Sequence, residues 1–277
     1  MSPNQSFTKL EALGNDFVLL DHRDGQPDPG PERIRALADR RSGIGFDQLL
    51  ALHPGTADAD DCRVHIFNCD GSPARQCGNG MRAIARWLAD EQPGRDRFRL
   101  ATPAGAVEVE IRGDNQVRVN MGRPDFGAAA VGLEPGLALN DLLAGIPGRL
   151  DAGLVSMGNP HLILLLEQPP TAALVEQAGS HLSRHAGFQD GVNVSFATRG
   201  DDGAVRLRVH ERGVGPTPAC GSAACATAAL LIMTGAAKSP VNVDQPGGRL
   251  VIDWPGEESP LWMTGPARRV FDGTCLT

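Results

Sequence analysis

Two short stretches carry the residue types for acid-base chemistry, Cys77-Gly78-Asn79-Gly80 and Cys220-Gly221-Ser222-Ala223, each setting a thiol just before a run with helical spacing. A thiolate at a helix start is stabilised by unpaired backbone N–H groups and by the positive end of the helix dipole. Its pKa is therefore expected to fall from about 8.5 towards neutrality. Two such thiols facing each other would act as a base and an acid on one carbon. A thiolate that takes the α-proton of an amino acid, opposite a thiol that returns one, inverts the centre.

The α-proton of an amino-acid zwitterion is weakly acidic, and no lysine motif suggests a pyridoxal Schiff base as electron sink. The stabilisation must come from the chain itself. Backbone N–H groups of Gly78, Asn79, Gly221 and Ser222, at two converging helix starts, would meet the charge that builds on an α-carboxylate. Removing one such donor costs ~3 kcal/mol in the barrier. Asn15, Asn68, Asn159 and Asn193, at turns or strand ends, are candidate polar contacts, and each also reads as a plain turn former. Arg212, next to Glu211, has two readings: a fork for a second substrate carboxylate, or half of a surface ion pair. His161 likewise reads as a group that tunes a thiol or as a satisfied buried histidine.

The elements that must position these residues recur. Leu13-Gly14-Asn15 is answered by Met157-Gly158-Asn159 at an offset of 144. Arg63, Pro73, Cys77, Gly78, Ala83 and Ala85 are answered by Arg206, Pro216, Cys220, Gly221, Ala226 and Ala228 at an offset of 143. Pro103 and Gly105 match Pro246 and Gly248 at the same offset, and Met121 to Pro124 resembles Met263 to Pro266. An offset of about half the chain, held to within a residue or two from residue 13 to residue 266, implies a duplication into two domains and not a solenoid.

In each half, short strand patterns surround one helix. Strands are expected at Phe17–Leu20, from Asp47, at Arg63–Phe67, Phe98–Thr102, Ala106–Ile111 and Gln116–Met121, with a short helix after Pro31. The run Ala223 to Met233 is apolar on every side, as in a helix enclosed by a sheet. The expected fold is α+β: two pseudo-symmetric domains, each a curved, mostly antiparallel sheet wrapped around a central helix, with the active site in the interdomain cleft. The lobe carrying Cys77 is expected to span residues 1–120 plus the tail 266–277, and the lobe carrying Cys220 residues 121–265.

Composition narrows the partners. The 277 residues have a formal charge of −7 and no Lys/Arg run, which argues against nucleic acid or an anionic membrane surface and for a small molecule. No apolar run reaches the ~20 residues of a membrane span and no signal peptide is recognisable, so the expectation is a cytoplasmic protein. There the six cysteines are reduced. Cys62, Cys225, Cys275 and Cys69 read as small buried hydrophobes. No C-x-x-C pair or well-spaced Cys/His set occurs, so no metal is expected. A Cys77–Cys220 disulfide would be an oxidised, inactive state.

Leu13-Gly-Asn-Asp-Phe17, Gly45-Phe-Asp-Gln48, Asp70-Gly-Ser72, Gln76-Cys-Gly-Asn-Gly80, Gly158-Asn-Pro-His161, Glu211-Arg-Gly213, Ala219-Cys-Gly-Ser222 and Met263-Thr-Gly-Pro266 together resemble the pattern of the diaminopimelate epimerase family across essentially the whole chain. The resemblance implies a cofactor-independent isomerase, typically a homodimer, that interconverts LL- and meso-diaminopimelate for lysine and peptidoglycan synthesis. It implies Cys77 and Cys220 as proton donor and acceptor. Asn15, Gln48, Asn68, Asn159, Asn193, Glu211 and Arg212 would line the substrate site, Gly78-Asn79 and Gly221-Ser222 would hold the reacting carboxylate, and His161 and Glu211 would modulate the thiols.

The chain departs from that pattern at Glu11-Ala12, Gly215-Pro216-Thr217 and Ala223. Phe271 stands where some relatives carry a tyrosine linked to dimer contacts. A racemase of histidine or proline type is the alternative within the fold, and a non-catalytic thiol redox or binding protein the alternative outside it. The Glu211-Arg212 pair favours a substrate with a charged distal end.

Overall fold

The computed structural model describes residues 4–55, 60–113 and 115–276. The chain divides into two compact units, Met1–Asn120 with Gly265–Thr277, and Met121–Thr264.

The first unit opens with strands β1 (Asn4–Ala12) and β2 (Asn15–Asp21), joined by a turn in which Leu13 and Gly14 have φ of 57° and 80°. Helix α1 (Pro31–Ala38) follows, with Pro31 in its first turn, where the missing N–H costs nothing. Then come β3 (Gln48–His53), β4 (Cys62–Asn68), the two-residue β5 (Pro73–Ala74), helix α2 (Gly78–Glu91), β6 (Arg97–Thr102), β7 (Gly105–Ile111) and β8 (Gln116–Asn120). β2 pairs parallel with β3 and β4 parallel with β6, while the remaining pairings are antiparallel.

Buried on both faces, the parallel pair reads as continuous apolar sequence. Val18, Leu20, Leu49 and Ala51 pack with Ile34 and Leu37 of α1 on one face. Alternation sends Leu50 to the opposite face, where it meets α2 at Gly80. Helix α2 packs against β1, β2, β7 and β8, strands drawn from both ends of the strand order, so the sheet must curl around it.

The second unit repeats this plan. Its strands are β9 (Asp125–Phe126), β10 (Arg149–Ser156), β11 (Pro160–Leu166), β12 (Asn193–Arg199), β13 (Val205–Glu211), β14 (Gly215–Thr217), β15 (Val241–Gln245), β16 (Gly248–Asp253) and β17 (Trp262–Pro266). A short helix α3 (Leu139–Leu142) precedes β10, α4 (Ala172–Ser183) follows β11, and α5 (Gly221–Met233) follows β14. The parallel steps are again the equivalent ones, β11 with β12 and β13 with β15. Leu162, Leu164, Val194 and Phe196 pack with Val175 and Leu182 of α4. The other face holds α5, which touches β10, β11, β12, β15 and β16 and is buried from Ala223 through Leu231. Its Ala-rich sequence, AACATAA, lets the strands approach closely on all sides.

The last strand, β18 (Arg268–Leu276), returns to pair antiparallel with β1, as β9 pairs with β10. Cys62 and Cys225 are fully buried, as the sequence suggests. Cys69 is a correction: it lies exposed, because the turn closed by Asn68 and Gly71 lifts it off the sheet. Cys275 is only partly buried near the free end of β18.

Candidate functional site

Both thiols stand where the sequence places them, at the N-cap of the central helix of their own unit. Cys77 has extended backbone (φ −149°, ψ 102°), and its sulfur accepts the Gly80 amide N–H at 3.3 Å, capping α2. Gly78 and Asn79 then occupy the first two helical positions, whose amides have no intrahelical acceptor. Cys220 has the same backbone (φ −129°, ψ 114°), and Gly221 and Ser222 take the equivalent positions in α5. Its sulfur makes no cap hydrogen bond of the kind seen at Cys77, although the Ala223 amide lies near enough to favour the thiolate. The sulfur donates to Glu211 Oε2 at 3.3 Å and lies 3.5 Å from Ser222 Oγ.

This environment overturns the expected depression of the thiol pKa at Cys220. Burial, and after it the Glu211 charge, push the thiol well up, outweighing the Ser222 hydroxyl and the Ala223 amide at the helix start. Glu211 is shifted in the same direction: removal from water raises its carboxyl, against the hydrogen bonds from Thr217 and Cys220. Thr217 Oγ1 donates to Glu211 Oε1 at 2.5 Å, leaving Oε2 for the sulfur. The Cys220 amide N–H donates to Gln245 Oε1 at 2.8 Å, which ties the cap to β15. Thr217 and Gln245 were missed in the sequence. Thr217 was visible only as part of a departure from the family pattern, and Gln245 lies 25 residues from the thiol that it anchors.

Asn159, His161 and Ser222 extend the same network. Asn159 Nδ2 donates to Ser222 Oγ at 3.3 Å, and its Oδ1 lies 3.0 Å from His161 Nε2. A carbonyl oxygen only accepts, so the ring is the Nε2–H tautomer. Its Nδ1 has no hydrogen-bond partner among the described residues. Burial, and then the Arg212 charge, push His161 down to about 3, so the ring is neutral. Leu162 and Leu164 pack toward α4, so strand alternation puts His161 on the α5 face of β11.

Asn193 and Arg212 form a second pair at the ends of β12 and β13. Asn193 Oδ1 accepts the Arg212 amide at 3.0 Å, and its Nδ2 donates to Pro160 O at 3.1 Å. The Arg212 guanidinium is exposed and donates to the Asp190 carbonyl at 2.8 Å. Among the described residues it forms no ion pair, which removes the surface-pair reading.

In the first unit, Asn15, Gln48 and Asn68 sit at neighbouring ends of β2, β3 and β4. The strand register puts Gln48 opposite both Phe17 and Asn68. Gln48 Nε2 donates to Asn68 Oδ1 at 3.0 Å, and Asn68 Nδ2 donates to Ser72 Oγ at 3.0 Å. Asn15 Nδ2 donates to Asp47 Oδ2 at 2.9 Å. The Asp16 carboxyl is held at about 2, because hydrogen bonds from Arg40 and Lys9 overcome the effect of burial. The Lys9 ammonium also donates to the Gly45 carbonyl, so Lys9, Asp16, Arg40 and Asp47 clamp the turn that presents Asn15. Asn79 takes a structural role: its side chain is buried and its Oδ1 accepts from the fully buried Arg82 at 3.0 Å.

The unit-two cluster therefore brings together a buried thiol, a carboxylate aimed at its proton and a set of helix-start amides. The unit-one cluster supplies a capping thiol and a row of side-chain amides. Known proteins share this scaffold. In solved structures, a phenazine biosynthesis protein of the PhzF family from Bacillus anthracis superposes with a TM-score of 0.70 at 15 % identity, covering 99 % of each chain. A hydroxyproline epimerase from Agrobacterium vitis with bound trans-4-hydroxy-L-proline gives 0.69 at 15 %, covering 99 % of this chain and 92 % of the other.

The sequence similarity is much stronger elsewhere. A relative from Halorhodospira halophila described as diaminopimelate epimerase is 45 % identical over 271 residues, 96 % of this chain and 93 % of the relative. One of the same description from Xylella fastidiosa is 43 % identical, covering 96 % and 95 %. The family model for diaminopimelate epimerase matches twice, at residues 7–127 and 153–270, once on each copy of the duplicated scaffold. With both copies matched and relatives above 40 % identity along nearly the full length, the chain belongs to the diaminopimelate epimerase family.

Proposed function

We propose that this chain inverts one α-carbon of diaminopimelate, interconverting the LL and meso forms, by a two-base thiol mechanism with Cys77 and Cys220 as the catalytic residues. The observation that carries the reading is the Cys220 thiol, protonated by its surroundings and hydrogen-bonded to Glu211 at 3.3 Å beside a helix start. A thiol held protonated is the acid that an inversion needs on one face of Cα.

In the forward step, the Cys77 thiolate takes the α-proton as the C–H bond breaks, and the electron pair is left on Cα and its carboxylate. The amides of Gly78, Asn79, Gly221 and Ser222 stabilise that charge. Cys220 then delivers its proton to the opposite face and becomes the thiolate. In the reverse step the Cys220 thiolate takes the α-proton while the Cys77 thiol returns one to the opposite face, and Glu211, hydrogen-bonded to the sulfur, relays the proton by which Cys220 is reset as a thiol between turnovers. Neutral His161 orients Asn159, which in turn holds Ser222. No cofactor enters these steps. Asn15, Gln48, Asn68, Asn159 and Asn193 supply side-chain amides for the substrate's polar groups. Arg212, exposed and without an acidic partner among the described residues, offers its remaining N–H donors to the distal carboxylate. That last contact favours diaminopimelate over proline or histidine, which have no second carboxylate.

We also assign the homodimer implied by the family resemblance to the β18 face. Val270 and Phe271 are half exposed there, and the Phe271 ring stands edge-on to Phe7 at 6.0 Å. Sedimentation of the wild type against Phe271→Asp tests this, and an unchanged monomer–dimer equilibrium overturns it.

The deciding experiment is incubation of the reduced protein with LL-diaminopimelate in D2O. Deuterium entering Cα together with formation of the meso isomer supports the reading, and its absence ends it. A parallel panel with proline, hydroxyproline and histidine separates the substrate from the reaction type. Cys77→Ala and Cys220→Ala should each abolish inversion in a folded protein, and full turnover in either removes the two-base assignment.

A further inference from the structure

Four side chains from separate parts of the first unit gather around one carboxylate. His22 follows β2, Asp28 lies in the loop before α1, His53 ends β3, and His65 lies in β4. The fold brings them together through its register: the His22 amide donates to Leu52 O, and Ala51 pairs with His65. Asp28 Oδ1 is 2.7 Å from His53 Nε2 and 3.9 Å from His22 Nδ1, while Oδ2 is 2.6 Å from His65 Nδ1. The His53 ring is tilted over that of His65 with centroids 4.5 Å apart.

A hydrogen-bonded cluster accounts for His53 and His65, but it leaves His22 unexplained. His22 is 2 % exposed, and its Nδ1 has no hydrogen-bond partner among the described residues. That nitrogen faces a carboxylate oxygen at a separation too long for a hydrogen bond. Two ligands of one tetrahedral ion, each about 2.0–2.2 Å from it, stand about 3.3 Å apart, between the 2.7 Å and 3.9 Å found here. The oxygen and the two nitrogens all lie within 4.8 Å of one another, so the widest pair must close by at most about 1.5 Å, shared between two side chains, to converge on one ion. Gln5 Nε2 lies 2.9 Å from His22 Nε2. With the Gln5 amide turned to present its oxygen, Nε2 donates there and the Nδ1 lone pair is left to face Asp28. Burial also lowers the His22 pKa, which favours the neutral ring that binds metal.

We propose that His22 Nδ1, Asp28 and His53 Nε2 form a binding site for a divalent transition-metal ion of the zinc class. His65 acts as the partner that orients the Asp28 carboxylate. The ion replaces the proton now shared between His53 and Asp28, and a fourth position is open to water. The site lies at the far end of β3 from Gln48, about 16 Å away along the strand. Its role is therefore to tie the loop before α1 to β2 and β3, and it stands whether or not the thiols catalyse an inversion.

The test uses the full-length, reduced, chelator-stripped protein titrated with Co2+, whose visible spectrum distinguishes nitrogen and oxygen ligands from thiolates. The expected result is one equivalent bound, with d–d bands and no thiolate charge-transfer band, unchanged in Cys77→Ser/Cys220→Ser. Asp28→Asn and His53→Gln should each weaken binding by about 100-fold, and His65→Gln by about 10-fold. Zn2+ should compete for the site and raise Tm of the wild type but not of Asp28→Asn. No stoichiometric uptake by the native protein overturns the proposal. So does uptake with a thiolate band lost in the double cysteine variant, or uptake indifferent to Asp28→Asn and His53→Gln. The first two outcomes need no histidine variant to fold.

Discussion

The Cys220 thiol donates to Glu211 Oε2 at 3.3 Å, and Thr217 holds the other oxygen of the same carboxylate at 2.5 Å. The arrangement aims one acceptor at one sulfur, and both groups are shifted upward by removal from water. The ionised Glu211 carboxylate favours the protonated thiol, and in the proposed reaction it is the group through which the Cys220 proton exchanges between turnovers. In that reaction Glu211 is a positioning and proton-relaying group that acts through the sulfur.

In the proposed reaction, Glu211→Gln should lower inversion by about 10²–10⁴-fold, because the amide keeps the contact with Thr217 and cannot take a proton. The pH–rate profile separates this from a merely structural loss. In the wild type, activity rises with pH as the carboxyl ionises, and in Glu211→Gln that acid limb should vanish. Thr217→Val removes a hydrogen bond that lowers the Glu211 pKa, so its acid limb should move to higher pH. A shift to lower pH would contradict the assigned roles.

Much of this arrangement was legible because it is repeated. The offset of 143 placed both N-cap thiols, and an apolar run without a polar face identified α5 as enclosed. The apolar runs of β2, β3 and β11 follow from helices on both faces. Charge at the thiol was not legible. A helix start alone lowers a thiol pKa, but burial and a carboxylate brought from another strand decide the sign at Cys220. Partners held by tertiary contact, such as Thr217, Gln245 and Asp47, leave no spacing signal. The same is true of His22, Asp28, His53 and His65, which come together only through strand register. The exposure of Cys69 leaves no trace in the sequence, because a cysteine beside a turn looks the same there whether the turn points in or out.

Asp16 offers a test of the clamp behind Asn15. With its carboxyl held at about 2, below the ordinary 3.8, its contribution to stability is full above pH 3.8 and is lost as the pH falls through about 2. Asp16→Asn leaves the nearly buried Lys9 ammonium without its carboxylate partner. It should cost about 2 kcal/mol at pH 7, with the difference from wild type closing near pH 2. Urea unfolding at pH 7, 4 and 2.5 reads this directly. Loosening of the turn should also raise KM more than it lowers kcat.

His161 gives a pH dependence of the opposite origin. Folding holds its pKa at about 3, below the ordinary 6.5, so the unfolded chain binds a proton that the folded chain refuses. Stability from this group is therefore full above pH 6.5 and falls by about 1.4 kcal/mol per pH unit as the pH drops from 6.5 towards 3. In ring-nitrogen NMR, His161 should remain the neutral Nε2–H tautomer from pH 8 to 5. His161→Gln should flatten the stability slope over the same range. A ring that titrates near 6.5 would remove the buried-neutral assignment.

Gly80 separates stability from chemistry at the other thiol. It is the third helical position of α2, where its amide caps the Cys77 sulfur, and the equivalent position in α5 is Ala223. A methyl at Gly80 would meet Leu50 Cδ2 at 3.1 Å and Cys77 Sγ at 3.4 Å, so either the leucine or the sulfur must give way by a few tenths of an ångström. Alanine is worth about 1 kcal/mol over glycine inside a helix, which offsets that crowding. Gly80→Ala should therefore leave Tm close to that of the wild type. In the proposed reaction it should still lower kcat by about 10-fold or more, because a reacting sulfur displaced from its line of attack loses rate steeply. Ala223→Gly, the reciprocal change, removes a methyl that α5 already accommodates, and should cost stability with little effect on the Cys220–Glu211 contact. Equal kinetic losses in the two variants would show that the third helical position matters for helix strength alone and not for where the Cys77 sulfur sits.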